Sequence, residues 1–323
     1  MRRIPLLALT VALIAAFGAS GAHAAASASA PKYNIAVGIG DQNAPMFTNK
    51  YFTPLGIKKV RYFIPWDAAK DPAKLALADA YVAAAKQAHA TVLMHVGTND
   101  FDHKAAKIPT TAQYKLWVGK LVKRYKAKGV KDWGVFNEAN NQSEPTWNHP
   151  AAAANFFKVM RSLCSGCTIV SLDVLDQPGV SSYIKKFFTA LGKSYAQKAT
   201  LVGIHNYSDT NRYRSSGTKT IIDSVRTYDK KATFWLTETG GVASFGSNFP
   251  CSTTRQKKAE SYMFTLAKKF KSYVKRLYTY SFFGTPDASC QAGDFDAGLL
   301  TSDGTKTRPA YTVFKTQLKS FSR

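Results

Sequence analysis

The sequence predicts an α/β chain folded as one (β/α)8 TIM barrel, and three observations lead there. From Tyr33 onward, short runs rich in β-branched and aromatic residues alternate with segments of helical periodicity. Eight such runs can be counted, and no linker or internal repeat interrupts them. The runs are nearly continuous in apolar character, as expected of parallel strands covered by helices outside and packed side chains within.

In order the expected strands are YNIAVGI (33–39), KVRYFIP (59–65), TVLMHV (91–96), DWGVFNE (132–138), TIVSLDVL (168–175), LVGIHNY (201–207), ATFWLTE (232–238) and RLYTYSFF (276–283). Helical segments between them include PAKLALADAYVAAAKQAHA, TAQYKLWVGKLVKRYKAKG and TRQKKAESYMFTLAKKF. Arg61, His95, Asn137, Glu138, His205, Tyr207 and Glu238 are polar exceptions, and all fall late in their strands. Barrel enzymes gather their chemistry at that end, so these residues define a polar ring around one mouth.

The barrel is expected over 31–323, preceded by a secretory signal over 1–24, with cleavage as late as residue 30. Arg2 and Arg3 precede an apolar run from Leu6 to Phe17 and a small-residue stretch containing Ala-His-Ala. That run falls short of the roughly 20 residues that span a bilayer. The expectation is therefore a secreted protein, extracellular or periplasmic and cell-wall associated, without a membrane span after processing.

The formal charge of +24 favours electrostatic association with anionic polymers such as cell wall or acidic glycan. Much of it lies in KLVKRYKAKGVK (120–131) and KKFKSYVKR (268–276), where apolar residues recur at helical spacing between the lysines. These read as solvated outer helix faces. With no nucleic-acid module beside them, no specific nucleic-acid partner is expected. A monomer is expected.

Four cysteines in an exported chain suggest disulfides, with three pairings open. Cys164 and Cys167 can close locally within Cys-Ser-Gly-Cys, leaving Cys251 to meet Cys290. A redox centre would need a strand before the motif and a long helix after it, the reverse of the order here. His95, His103, His149 and His205 lack metal-binding spacing, and no strand end carries a Schiff-base lysine. Neither a metal nor another cofactor is expected.

Glu138 and Glu238 end the fourth and seventh expected strands, so their side chains can face each other across the mouth. Two facing carboxyl groups are what glycosidic bond cleavage requires, one to protonate the leaving oxygen and one to attack the sugar. FNEAN (136–140) and LTETG (236–240), on those strands, resemble the signatures of clan A of the glycoside hydrolases, and the resemblance covers the whole barrel. It implies a retaining enzyme acting on β-linked poly- or oligosaccharide, with Glu138 as acid/base and Glu238 as nucleophile. It further implies that Asn137 bonds the sugar 2-hydroxyl, Arg61 keeps the nucleophile ionised, and His205 and Tyr207 orient it. Ala139 stands where many members have Pro, and Phe282 and Phe283 stand where many end strand eight with Trp.

Further supporting positions are His95, Trp66, Trp147 and Phe282, with Phe245 and Phe249 as additional flat surfaces for sugar rings. Asp100, Asp102, Asn141, Gln142, Asp176 and Asp209 lie beyond strand ends, where side chains can bond hydroxyls. Two alternatives remain open at this point: a transglycosylase using the same carboxylates, and a carbohydrate-binding or anionic-polymer-binding barrel without turnover.

Overall fold

In the computed structural model, which describes residues 31–100, 106–285 and 295–323, nine parallel strand segments run in the order β5-β4-β3-β2-β1-β9-β8-β7-β6. They are β1 (Tyr33–Gly40), β2 (Lys59–Pro65), β3 (Thr91–Gly97), β4 (Asp132–Gly134), β5 (Thr168–Val170), β6 (Asp173–Leu175), β7 (Leu201–His205), β8 (Thr233–Thr239) and β9 (Val274–Tyr280). A short β10 (Phe321–Ser322) pairs with β1. The two ends of that order, β5 and β6, are consecutive halves of one expected strand. Across the break, Ser171 N donates to Leu201 O and Gly203 N to Leu172 O, at 2.9 and 2.8 Å. The ring is thus a (β/α)8 TIM barrel whose fifth stave is split, and residues 31–323 form one compact unit. The expected signal segment, Asp102, His103 and Cys290 lie outside the described residues, so the Cys251–Cys290 pairing does too. Cys164 and Cys167 are disulfide-bonded.

The helices begin where the sequence supplies caps. Asp71 accepts from Ala73 N and Lys74 N ahead of α1 (Pro72–Gln87). Thr110 and Gln113 form a capping box ahead of α2 (Thr111–Ala127), and Ser252 caps the long helix Thr253–Lys269. On α2, Tyr114, Val118, Leu121, Val122 and Tyr125 are buried against the barrel while Lys120, Lys123, Arg124, Lys126 and Lys128 are exposed. This basic run is accordingly an outer helix face. No helix among the described residues is long and apolar enough to cross a membrane.

Inside the barrel, Leu93, Val170, Leu201, Trp235 and Tyr278 form a separate apolar cluster beneath the mouth. Side chains two residues further along the same strands point inward above it, because alternation repeats every second residue. That places His95 and Tyr280 in the next layer up, with Tyr280 reaching the cavity and His95 fully buried. Regular alternation from Trp235 through Thr237 would send Glu238 outward into the helix layer. A register shift against β7 between Gly203 and His205 resets the phase, and His205 stands opposite Glu238.

Candidate active site

The described mouth opens into a cavity of about 740 Å³ whose walls include Arg61, Asn137, Glu138, Tyr207, Glu238 and Tyr280. Five of these six were singled out in the sequence. Glu238 is held from both oxygens: Arg61 Nη1 donates to Oε2 at 2.6 Å and Tyr207 OH to Oε1 at 2.9 Å. Burial alone would lower the Arg61 pKa, but the charges of Glu238 and Asp173 outweigh it and hold the guanidinium firmly cationic. Burial and the Glu238 charge together push Tyr207 well above the ordinary phenol value, so its hydroxyl stays a donor.

Glu138 is reached differently. Regular strand pairing ends at Gly134, yet the backbone still bonds both neighbours, through Val135 N to Val170 O, Asn137 N to Val96 O and Ala139 N to Asp173 O. Within this irregular stretch Glu138 adopts φ +41°, in the left-handed region. Its Oε1 lies 2.8 Å from His205 Nδ1, and its Oε2 accepts from Asn141 Nδ2 at 2.6 Å.

Below the two glutamates lies a fully buried charge network. Asp173 sits between two imidazoles, with His95 Nε2 at 3.0 Å and His205 Nε2 at 3.1 Å, at angles short of good hydrogen-bond geometry. Arg61 Nε donates to His95 Nδ1 at 3.2 Å, which places the His95 proton on Nε2. Burial, opposed by the Asp173 charge and reinforced by Arg61, pushes His95 down to about 3, so it is neutral. Burial would depress His205 as well, but the charges of Asp173 and Glu238 and the close contacts with Asp173 and Glu138 hold it up at about 10. Asp173 is kept well below the usual carboxylate range despite its burial, because both histidines and Arg61 face it. Gly203 makes room: a Cβ there would sit 2.7 Å from Asp173 Oδ2.

Oxygens of Glu138 and Glu238 and a nitrogen of His205 lie within 4.8 Å of one another, a grouping that also resembles a metal site. Both nitrogens of its histidine face carboxylates, Nδ1 towards Glu138 and Nε2 towards Asp173.

Sequence reading missed several participants. Asp173 was legible only as a lone acid in the apolar run VSLDVL. Glu144, buried in the following loop, accepts from Asn137 Nδ2 and from Thr98 N, both at 3.0 Å, and fixes the amide whose Oδ1 accepts from Arg61 Nη2 at 2.5 Å. Tyr280 lines the cavity beside Phe295, as the alternation Arg276, Tyr278, Tyr280 would have indicated.

Other expectations require correction. Phe282 does not line the cavity: β9 ends at Tyr280, Phe282 N and Phe283 N turn back to Asp41 Oδ2, and the Phe282 ring is buried against Phe52. Trp66 is likewise a core residue, 4% exposed, with Lys70 over its ring. Trp147 is exposed but outside the cavity wall. His95 lies beneath Arg61 and acts only through it. Asp176 and Asp209 accept from backbone N–H groups of Ser208, Asp209, Gly217 and Thr218, so they brace loops. Phe245 and Phe249 do line the cavity.

Comparison with known proteins places this geometry. The family model described as glycosyl hydrolase catalytic core matches residues 79–313. No curated protein matches the sequence. A family 39 glycoside hydrolase from the gut symbiont Bacteroides cellulosilyticus WH2 superposes at TM-score 0.58 and 13% identity, over 90% of this chain and 64% of that one. The chain therefore spans just under two thirds of that protein's length. Xylanase 10B from Thermotoga petrophila RKU-1, solved with xylobiose, superposes at 0.61 and 14%, over 88% and 94%. A family 17 β-1,3-glucanosyltransferase from Rhizomucor miehei gives 0.59 and 16%, over 87% and 97%. At these identities the structural matches carry the barrel alone. The family model spans most of that barrel, including both strand-end glutamates, and the chain belongs to the glycosyl hydrolase catalytic core family, on the clan A fold its sequence resembles.

Proposed function

We propose that the protein is an exported retaining glycoside hydrolase that cleaves β-linked poly- or oligosaccharide through a covalent glycosyl-enzyme. One observation carries the retaining assignment: oxygens of Glu138 and Glu238 approach within 4.8 Å. A retaining pair stands about 5–5.5 Å apart, whereas an inverting pair leaves about 6.5–9.5 Å for a water. In the first step Glu238 forms a bond to the anomeric carbon as the bond to the leaving oxygen breaks and Glu138 gives that oxygen a proton. In the second, Glu138 takes a proton from water, whose oxygen displaces Glu238.

The surroundings suit each role. Arg61 and Tyr207 donate to the two oxygens of Glu238 and aim it. His205 Nδ1 lies 2.8 Å from Glu138 Oε1 and Asn141 Nδ2 donates to Oε2, which fixes the direction in which the carboxyl group faces the cleft. Asn137, with one bond made at each end of its amide, retains a donor and an acceptor position for a sugar hydroxyl. The Cys164–Cys167 disulfide suits an oxidising compartment. The test is a panel of β-linked polysaccharides with proton NMR of the first product. A β-anomer appearing first supports retention, an α-anomer overturns it, and no cleavage of any β-glycan overturns the hydrolase reading. Chain-lengthened products would instead mean transfer to sugar by the same two steps.

A further inference from the structure

Three arginines gather at one wall of the cleft. Arg212 Nη1 and Arg214 Nη2 both donate to Ser208 Oγ, at 3.4 and 2.7 Å, so two guanidiniums converge on one hydroxyl. Arg212 also lies over the Phe249 ring at 4.8 Å, and Arg255 approaches the same ring at 5.4 Å. Arg61, Arg124, Arg276 and Arg308 each face a carboxylate, but among the described residues none lies within 4 Å of these three. Arg255 is spoken for by the carbonyls of Pro250, Val242 and Ala243. Among the described residues, the Arg212 and Arg214 guanidiniums donate only to the Ser208 hydroxyl, and both side chains are exposed.

Their position connects them to substrate. Ser208 follows directly on Tyr207, and both Ser208 and Arg212 line the cleft that holds Glu138 and Glu238. Arg214 lines an adjoining hollow of about 260 Å³ that shares Asp176 and Gln177 with the cleft. The nearby Asp176 and Asp209 are buried, accept from backbone N–H groups, and among the described residues neither comes within 4 Å of the two guanidiniums as an ion-pair partner. Two convergent guanidinium forks without an ion-pair partner among the described residues match a planar carboxylate, which accepts such donors pairwise.

We infer that Arg212 and Arg214 form a carboxylate-binding subsite, and that the substrate is a β-glycan carrying uronic-acid units. This rests on the glycosidase reading and names the substrate class of that site. The probes are oligosaccharides of β-1,4-linked glucuronate and mannuronate, each paired with its carboxyl-reduced neutral counterpart. Calorimetry on full-length Glu238→Gln protein at about 0.15 M salt, where the Debye length is about 8 Å, limits the contribution of distant charge. A charged oligosaccharide should bind at least tenfold tighter than its neutral partner, and the preference should vanish when Arg212→Gln and Arg214→Gln are added. Adding Lys123→Gln and Lys126→Gln on the outer face of α2 removes equal charge and should leave the preference intact. Equal binding of charged and neutral forms, a preference that survives loss of both arginines, or no binding of any probe overturns the subsite. Turnover of neutral β-glycans by the unsubstituted protein, and its loss on Glu238→Gln, reads the glycosidase assignment separately.

Discussion

Glu238 and Glu138 reach one cavity from backbones of different kinds. Glu238 rides on β8, a seven-residue strand, and is fixed by a buried arginine and a tyrosine that donate to its two oxygens. Glu138 stands four residues beyond its last ladder residue, at φ +41°, and is held by a histidine and an asparagine. The contrast teaches that the group proposed to attack carbon is held from both oxygens inside a strand, at a register shift that turns it into the cleft. The group proposed to move protons sits beyond its strand, on backbone in the left-handed region and beside a histidine.

The largest expected effects break this comparison at its centre. Glu238→Gln removes the attacking oxygen and should lower turnover on the order of 10⁴-fold, as loss of a covalent nucleophile does. Steady-state rates on any cleaved β-glycan check it, and a loss below tenfold would remove Glu238 from the proposed role. Glu138→Ala should cost about 10²–10⁴-fold on substrates with poor leaving groups, the usual contribution of a general acid. An aryl glycoside that leaves without protonation should recover its first step, and added azide should yield a glycosyl azide of retained configuration. If azide rescues the Glu238 variant to a retained product instead, the two roles are exchanged.

A third test addresses the buried network beneath both groups. Asp173→Asn leaves the His205 cation without its principal counter-charge, and breaking a buried pair in this way costs about 3–5 kcal/mol. Denaturant unfolding measures it. The pH dependence carries its own sign. His205 rises from 6.5 to about 10 on folding, so its stabilisation is complete below pH 6.5 and is lost as pH climbs through about 10. Glu260 and Asp176, both raised by burial to about 7, act in the same direction at lower pH. The melting temperature should therefore fall from pH 6.5 to 10, and more steeply in the unsubstituted protein than in Asp173→Asn. Parallel curves for the two would show that His205 is not held protonated by Asp173.

The same contrast explains what the sequence made legible. The staves were readable because apolar runs bounded by helical patterns leave little choice; Asn137, Glu138, Tyr207 and Glu238 were readable as polar breaks near their ends, and Arg61 as a charge within an apolar run. Which way a side chain points at a strand end depends on where regular pairing stops, and composition does not specify that. Phe282 was misplaced because β9 stops at Tyr280, and the same boundary hid Tyr280 itself. The shift that turns Glu238 inward and the split of the fifth stave arise from pairing with neighbouring strands distant in sequence. Asp173 is identified as an ion-pair partner only when staves three, five and six are brought together.

The smallest expected effect tests the backbone half of the comparison. A non-glycine residue in the left-handed region costs about 1–2 kcal/mol, and glycine escapes most of it. At position 138, Glu138→Gly should therefore be more stable than Glu138→Ala by about 1 kcal/mol. At position 238, inside β8 and without a positive φ, the order should reverse, with Glu238→Ala more stable than Glu238→Gly by about 0.5–1 kcal/mol. Neither variant keeps the carboxylate, so the difference within each pair reports backbone alone, and denaturant midpoints resolve it. Alanine more stable than glycine at both positions would mean that Glu138 carries no conformational strain. Opposite orders would show that strain is confined to the proton-transfer side of the cleft, where functional sites tend to hold it.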